Sequence, residues 1–166
     1  MNEPEIQRLY YAETASRYEA MHHGNNDEHF FALCYLVGIL DFLRIKSILD
    51  IGSGTGRVIK YIKKCRPELR VIGIEPVAEL REIGYSSGLS RGDLFAGDGT
   101  ALQFDASSFD LVCEFGILHH VSTPEIVVAE MLRVAKQAIF ISDSNNFGQG
   151  SLLVRTIKKS FNMLRL

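Results

Sequence analysis

From Ser47 onward the chain repeats one pattern, a short apolar segment followed by a stretch of helical periodicity. The apolar segments are Ser47 to Ile51 (SILDI), Arg70 to Glu75 (RVIGIE), a weaker one near Leu94 to Gly97, Phe109 to Phe115 (FDLVCEF) and Gln137 to Ser142 (QAIFIS). Strands that alternate with helices build βαβ units and a parallel sheet. Helices are expected over Arg57 to Cys65, Val77 to Gly84 and Thr123 to Arg133, and right-handed crossovers place them on both faces. The expected fold is α/β, a doubly wound and mostly parallel sheet with five strands visible.

Two further helices precede the first strand. Ile6 to Met21 mixes aromatic and small residues, His22 to Asp27 (HHGNND) is a polar break, and an apolar helix is expected over about Glu28 to Leu43. This divides the chain into a helical cap, residues 1–45, and an α/β domain, residues 46–166, within one structural domain overall; 166 residues suit a single core. The tail from Ser151 to Leu166 spaces Leu153, Ile157, Phe161 and Leu164 along one helical face, with Arg155, Lys158 and Lys159 largely elsewhere. A helix packing on the sheet is the expectation, and a basic amphipathic helix that lies on a membrane or docks a partner is the alternative.

Composition removes several classes. Apolar residues are 46% and charged residues 23%, which is ordinary for a chain that buries a core and unlike a disordered one. The net charge is -2 and there is no long basic run, so no nucleic-acid partner is expected. Met1 to Tyr11 is polar, unlike a secretory signal, and the apolar neighbourhoods around Phe30 to Leu43 and Val134 to Ile141 are too short to span a bilayer. No membrane partner is expected, and the cytoplasm is the expected compartment. Cys34, Cys65 and Cys113 are odd in number and far apart, which suits reduced bystander thiols and no metal site.

Ligands of open parallel sheets sit beyond the carboxyl ends of the strands, where strand order reverses. There the first strand runs into Asp50-Ile51-Gly52-Ser53-Gly54-Thr55-Gly56-Arg57. The dinucleotide fingerprint G-x-G-x-x-G is not met, because the sixth position is Arg57 and the third glycine arrives one place early as Gly56; a phosphate loop would need a Gly-Lys-Ser/Thr that is absent. Asp50 lies before the turn, Glu75 ends the second strand and Asp98 follows the third. Three carboxylates converging on one cleft would repel a pyrophosphate but suit an ammonium or sulfonium, and Glu75 is placed to accept both hydroxyls of a ribose.

These residues resemble a known family, the class I (Rossmann-like) S-adenosylmethionine-dependent methyltransferases of the small-molecule branch, from about Tyr10 to Ser142. ILDIGSGTGR at Ile48 to Arg57 is similar to the family's first motif, VIGIEP at Val71 to Pro76 to its second strand with the ribose-binding acid, and GDGTALQFDASSFDLV at Gly97 to Val112 to the segment from the adenine-contacting Asp to the fourth strand. The resemblance implies S-adenosylmethionine as cofactor, with S-adenosylhomocysteine as product. It also implies that Gly52, Gly54 and Gly56 pack against the cofactor, Asp50 orders its methionine end, Glu75 holds the ribose, Asp98 accepts from the adenine amino group, the backbone at Gly99 meets a ring nitrogen, and Glu114 to Gly116 flank the methionine amino group. Tyr10, Tyr11 and Tyr18 resemble an entry helix that covers the cofactor, and Tyr18 is a contact candidate.

Methyl transfer from an activated donor needs alignment and sometimes a base, with no metal or covalent nucleophile. His119 and His120, after the fourth strand, are the catalytic candidates, one of them expected to be structural. Asp143, Ser144, Asn145 and Asn146 follow the fifth strand and could line an acceptor pocket, as could Phe147. The chain departs from the family in two places: Val134-Ala135-Lys136-Gln137 replaces a Leu-Lys-Pro-Gly-Gly-like turn, and the usual C-terminal antiparallel strands are not present before Leu166. That leaves a sheet edge for the last helix or a second copy of the chain to cover. The leading expectation is a methyltransferase acting on a small-molecule acceptor. Its alternative is a cofactor-binding module or truncated form with little or no methyl transfer; a nicotinamide oxidoreductase is disfavoured by Arg57 and Asp50.

Overall fold

In the computed structural model, which describes residues 28–143 together with Thr14, β1 (Ser47–Ile51), β2 (Arg70–Ile74), β3 (Leu94–Phe95), β4 (Phe109–Phe115) and β5 (Ala135–Ser142) form one sheet in the order β3-β2-β1-β4-β5. Every pairing is parallel. Around the sheet lie α1 (Glu28–Ile39), α2 (Arg57–Cys65), α3 (Ala78–Ser86), α4 (Pro124–Val134) and a 3-10 turn at Leu118–His120. From β1 the chain moves outward through β2 and β3, then crosses back to β4 and β5. The reversal falls between β1 and β4, so a crevice opens at their carboxyl ends. The expected doubly wound α/β fold is the one found.

Successive strand residues point to opposite faces, and both faces are packed. Ile48, Val71, Leu111 and Cys113 meet Leu33 and Leu36 of α1, Leu40 just after it, and Val58, Ile59 and Ile62 of α2. Their neighbours Leu49, Ile72 and Val112 turn the other way onto Val127, Met131 and Val134 of α4. Each such side chain contributes about 1.5–3 kcal/mol on burial. The two apolar layers therefore clamp β1, and the strand ends that β1 shares with β2 and β4 are held in fixed register.

Element boundaries differ from the sequence reading by up to about four residues. α1 stops at Ile39 rather than Leu43, because the chain turns there: Ile45 N–H donates to Leu40 O and Arg44 takes φ 55°. β5 begins at Ala135, two residues before Gln137, since α4 runs to Val134 and Ala135 is already extended at φ -72°, ψ 136°. No loop separates that helix from its strand, and the β4–β5 ladder absorbs the abrupt entry with an irregularity between Phe109 and Leu111. The third strand is only Leu94–Phe95. The helices expected at Ile6 to Met21 and Ser151 to Leu166, with Tyr10, Tyr11, Tyr18, His22, His23 and Ser144 to Phe147, lie outside the described residues.

Candidate functional site

The turn after β1 is bent so sharply that Gly52, Gly54 and Gly56 all have positive φ, at 68°, 56° and 77°. Side chains rarely adopt such angles, and at Gly52 a Cβ would also stand 2.4 Å from Cγ2 of Ile117. The turn is pinned to the neighbouring strand, where Gly52 N–H and Ser53 N–H both donate to Ile74 O at 2.9 and 3.0 Å. Ser53 lies directly over Gly73 in the middle of β2, where a Cβ would be 1.9 Å from the hydroxyl oxygen. Gly73 is thus a site-building residue that the sequence motifs did not single out.

Glu75, 5% exposed, ties the turn to the next helix. Its Oε2 accepts from Gly54 N–H at 2.9 Å and its Oε1 from Val77 N–H at 2.9 Å, just ahead of α3. Asp98 closes a small turn of its own, its Oδ1 accepting from Thr100 N–H at 2.9 Å and from the Thr100 hydroxyl at 2.7 Å. On either side of it Gly97 and Gly99 lie close against Ile74 and Ile51, which brings this backbone against the strand ends.

These elements surround an open cavity of about 150 Å³. Gly52 and Gly54 from the turn, Glu75, Asp98 and Gly99, Gly116 after β4, and His120 all line it. Pro76, Val77, Leu80, Val121 and Val127 supply apolar walls that sequence reasoning did not name. Gly56 faces away, where a Cβ would meet Leu89 at 2.1 Å.

Asp50 and Glu114 do not line the cavity but lie buried at the ends of β1 and β4, at 1% and 0% exposure. Oδ1 of Asp50 accepts from the Cys113 thiol at 3.8 Å, and Oε2 of Glu114 accepts from Ile117 N–H at 3.0 Å. Asp50 Oδ2 and Glu114 Oε1 have no partner. Burial, which penalises the charged form, pushes each carboxyl up to about 7, and nearby carboxylates add to the effect, Glu75 at Asp50 and Asp143 at Glu114. Burial likewise drives the Cys113 thiol well upward, so it stays protonated beside Asp50.

The two histidines of the 3-10 turn divide their roles. His119 Nδ1 is bonded to Asp143 Oδ1 at 2.5 Å, while Asp143 Oδ2 accepts from Leu118 N–H at 2.5 Å and His119 N–H at 3.2 Å. Asp143, read from the sequence as an acceptor-pocket group, instead clamps the turn. His120 stacks on His119 with ring centroids 3.8 Å apart and faces the cavity. Burial, reinforced by His119, holds its imidazole down at about 4, so it is neutral at pH 7.

One polar side chain beside the cavity escaped the sequence reading. His29, in the first turn of α1, has Nδ1 3.0 Å from Ser142 Oγ, and a Cβ built on Gly116 would stand 2.8 Å from its Nε2. Within an apolar helix nothing marks this histidine in advance, since the contact joins residues 113 positions apart.

Residues 49–141 match the family model described as a methyltransferase domain. A demethylmenaquinone methyltransferase of Thermotoga maritima is 29% identical over 92 residues, covering 55% of this chain and 40% of that protein. The chain spans between 37% and 57% of the length of the curated relatives it matches. Among solved structures, the plantazolicin methyltransferase BpumL with SAH superposes with a TM-score of 0.66 at 19% identity, covering 96% of this chain and 63% of its own. The [4+2]-cyclase SpnF superposes with a TM-score of 0.58 at 17% identity, covering 82% and 57% respectively. With the family model matched over more than half its length, this chain belongs to the methyltransferase domain family.

Proposed function

We propose that the chain binds S-adenosylmethionine in this cavity and transfers its methyl group to a small-molecule acceptor. The observation that carries the reading is the charge of the site. Among the described residues the wall contains Glu75 and Asp98 and no Lys or Arg, with Asp50 and Glu114 buried behind it. Such surroundings oppose a diphosphate and favour a ligand bearing an ammonium and a sulfonium. The residues present fit that ligand: the unpartnered oxygens of Asp50 and Glu114 suit a positive group, and the glycyl bend allows close approach without a Cβ.

When bound, S-adenosylmethionine supplies a methyl carbon already activated by its sulfonium. Gly52 and Gly54 pack against it, with Gly56 completing the bend; Glu75 accepts ribose hydroxyls; Asp98 and the backbone at Gly99 meet the adenine; and Glu114 and Asp50 order the methionine end. His120 faces the reacting end as a neutral imidazole able to accept a proton, and His119 positions it through Asp143. A second copy covers the edge of β5. No helix among the described residues is long and apolar enough to cross a membrane, and we place the protein in the cytoplasm.

A second reading is a cofactor-binding domain without methyl transfer. The observation favouring it is the shared fold with a [4+2]-cyclase. Calorimetry with S-adenosylhomocysteine and with NADH, followed by a methyl-release assay on hydroxyl-, amine- and quinol-bearing metabolites, separates the readings. Binding of the thioether with turnover is expected. Binding without turnover supports the second reading, and preference for NADH rejects both.

A further inference from the structure

We propose that Cys34 and Cys65 form an oxidation site, at which a hydroperoxide closes a disulfide between α1 and α2. Far apart in sequence, the two cysteines come together because these helices run side by side. Phe30 packs edge-on against Tyr61 with ring centroids 5.2 Å apart, and beyond the far ends of both helices Arg66 Nη2 donates to Asp41 Oδ2 at 3.0 Å. Between these two contacts, Cys34 Sγ lies 3.3 Å from the Tyr61 hydroxyl. Tyr61 and Cys65 are one turn apart on α2 and share a face of it. The Cys65 thiol bears on the same hydroxyl, since the Cys34 thiol, burial and the Cys65 thiol, in that order, push Tyr61 up to about 12. Two thiols thus flank one phenol, which stays protonated.

Access divides the three cysteines. Cys113 is buried in the core, whereas Cys34 is exposed and Cys65 half-buried, and all are free thiols. A hydroperoxide therefore meets Cys34 first. The Cys34 sulfur attacks one peroxide oxygen, the O–O bond breaks, the thiol proton goes to the departing oxygen, and a sulfenic acid remains. The Cys65 sulfur then attacks Cys34 Sγ. An S–S bond forms, the S–O bond breaks, and the hydroxyl leaves as water with the Cys65 proton. Two thiols lose two electrons in total and one hydroperoxide is reduced. Rotamer changes at the two cysteines bring their sulfurs to bonding distance, because both already lie against one oxygen. The bond joins two elements that support the cavity: α2 starts from the glycyl bend at Gly56, and the first turn of α1 meets Gly116.

The test treats the full chain with hydrogen peroxide and then counts thiols in denaturant and by mass spectrometry. Free thiols should fall from three to one, with the mass of two hydrogens lost, a Cys34–Cys65 cross-linked peptide on non-reducing digestion, and full recovery with dithiothreitol. Cys65→Ser should stop at a sulfenic acid on Cys34 that dimedone traps, and Cys34→Ser should keep both of its thiols over the same exposure. The oxidised wild type should also unfold at a urea midpoint higher by about 1 M, since the bond closes a loop in the unfolded chain. Three thiols surviving an exposure that oxidises the denatured chain overturn the proposal. So does a cross-link through Cys113, or a disulfide between two copies in place of the internal one. A midpoint that falls on oxidation also overturns it, because the bond would then form only by forcing α1 and α2 out of their packing.

Discussion

At the ends of β2 and β3, Glu75 and Asp98 have carboxylate oxygens engaged by the N–H groups of Gly54, Val77 and Thr100, whereas at the ends of β1 and β4, Asp50 and Glu114 are buried with one oxygen each unpartnered. All four are acids near one crevice. The first pair is built into the backbone and holds the shape of the site. The second pair carries an electrostatic cost, visible as carboxyls raised to about 7, that a positive ligand group relieves. On the function proposed above, one side of the switch point serves as scaffold and the other as receptor.

The comparison breaks most severely if the scaffold side proves tolerant. Gly73→Val drives a side chain into Ser53 and should cost about 3 kcal/mol in urea unfolding and abolish binding of S-adenosylhomocysteine. A stable, ligand-binding variant would mean that the turn does not depend on β2. Next in size, Glu75→Ala strands the N–H groups of Gly54 and Val77. We expect a loss of about 2 kcal/mol of stability and at least about tenfold in thioether affinity by calorimetry.

On the receptor side the histidines sharpen the contrast. His119→Ala removes the partner of Asp143 and should lower unfolding free energy by about 1–2 kcal/mol. His120→Gln should leave stability nearly unchanged and reduce methyl release by at least about tenfold. Equal stability losses would erase the division between them. The smallest effect is a pH slope. Asp50 and Glu114 have folded values raised above their unfolded ones near about pH 4, so their contribution is fully present below about pH 4 and lost as pH rises through about 7. Stability of the ligand-free protein should fall over that interval, and Asp50→Asn should flatten the fall in denaturant titrations.

The fold was legible because five apolar segments alternate with helical ones, and both layers of the core need little more than that alternation. The glycyl turn and the acids Glu75 and Asp98 were legible because each stands within a few residues of a strand end. What escaped depends on contacts across the sheet. Gly73 matters only because Ser53 folds back onto it, and His29 only because α1 brings it to Gly116 and Ser142. The depth of Asp50 was likewise invisible, because its side chain points into the layer shared with Cys113 while the turn beyond it faces the cavity. The short join from α4 to β5 was expected as a tight turn and is no turn at all, since Ala135 passes directly from helix to strand.

The central claim is that the buried acids of the receptor side accept a positive ligand group. Calorimetry of S-adenosylhomocysteine binding at about pH 6, repeated in buffers of different ionisation heat, measures the protons exchanged. The account predicts net proton release, as Asp50 and Glu114 ionise against the ligand, and predicts that Asp50→Asn combined with Glu114→Gln removes it. Binding to the wild type without proton release, or release that persists in the double variant, would contradict it.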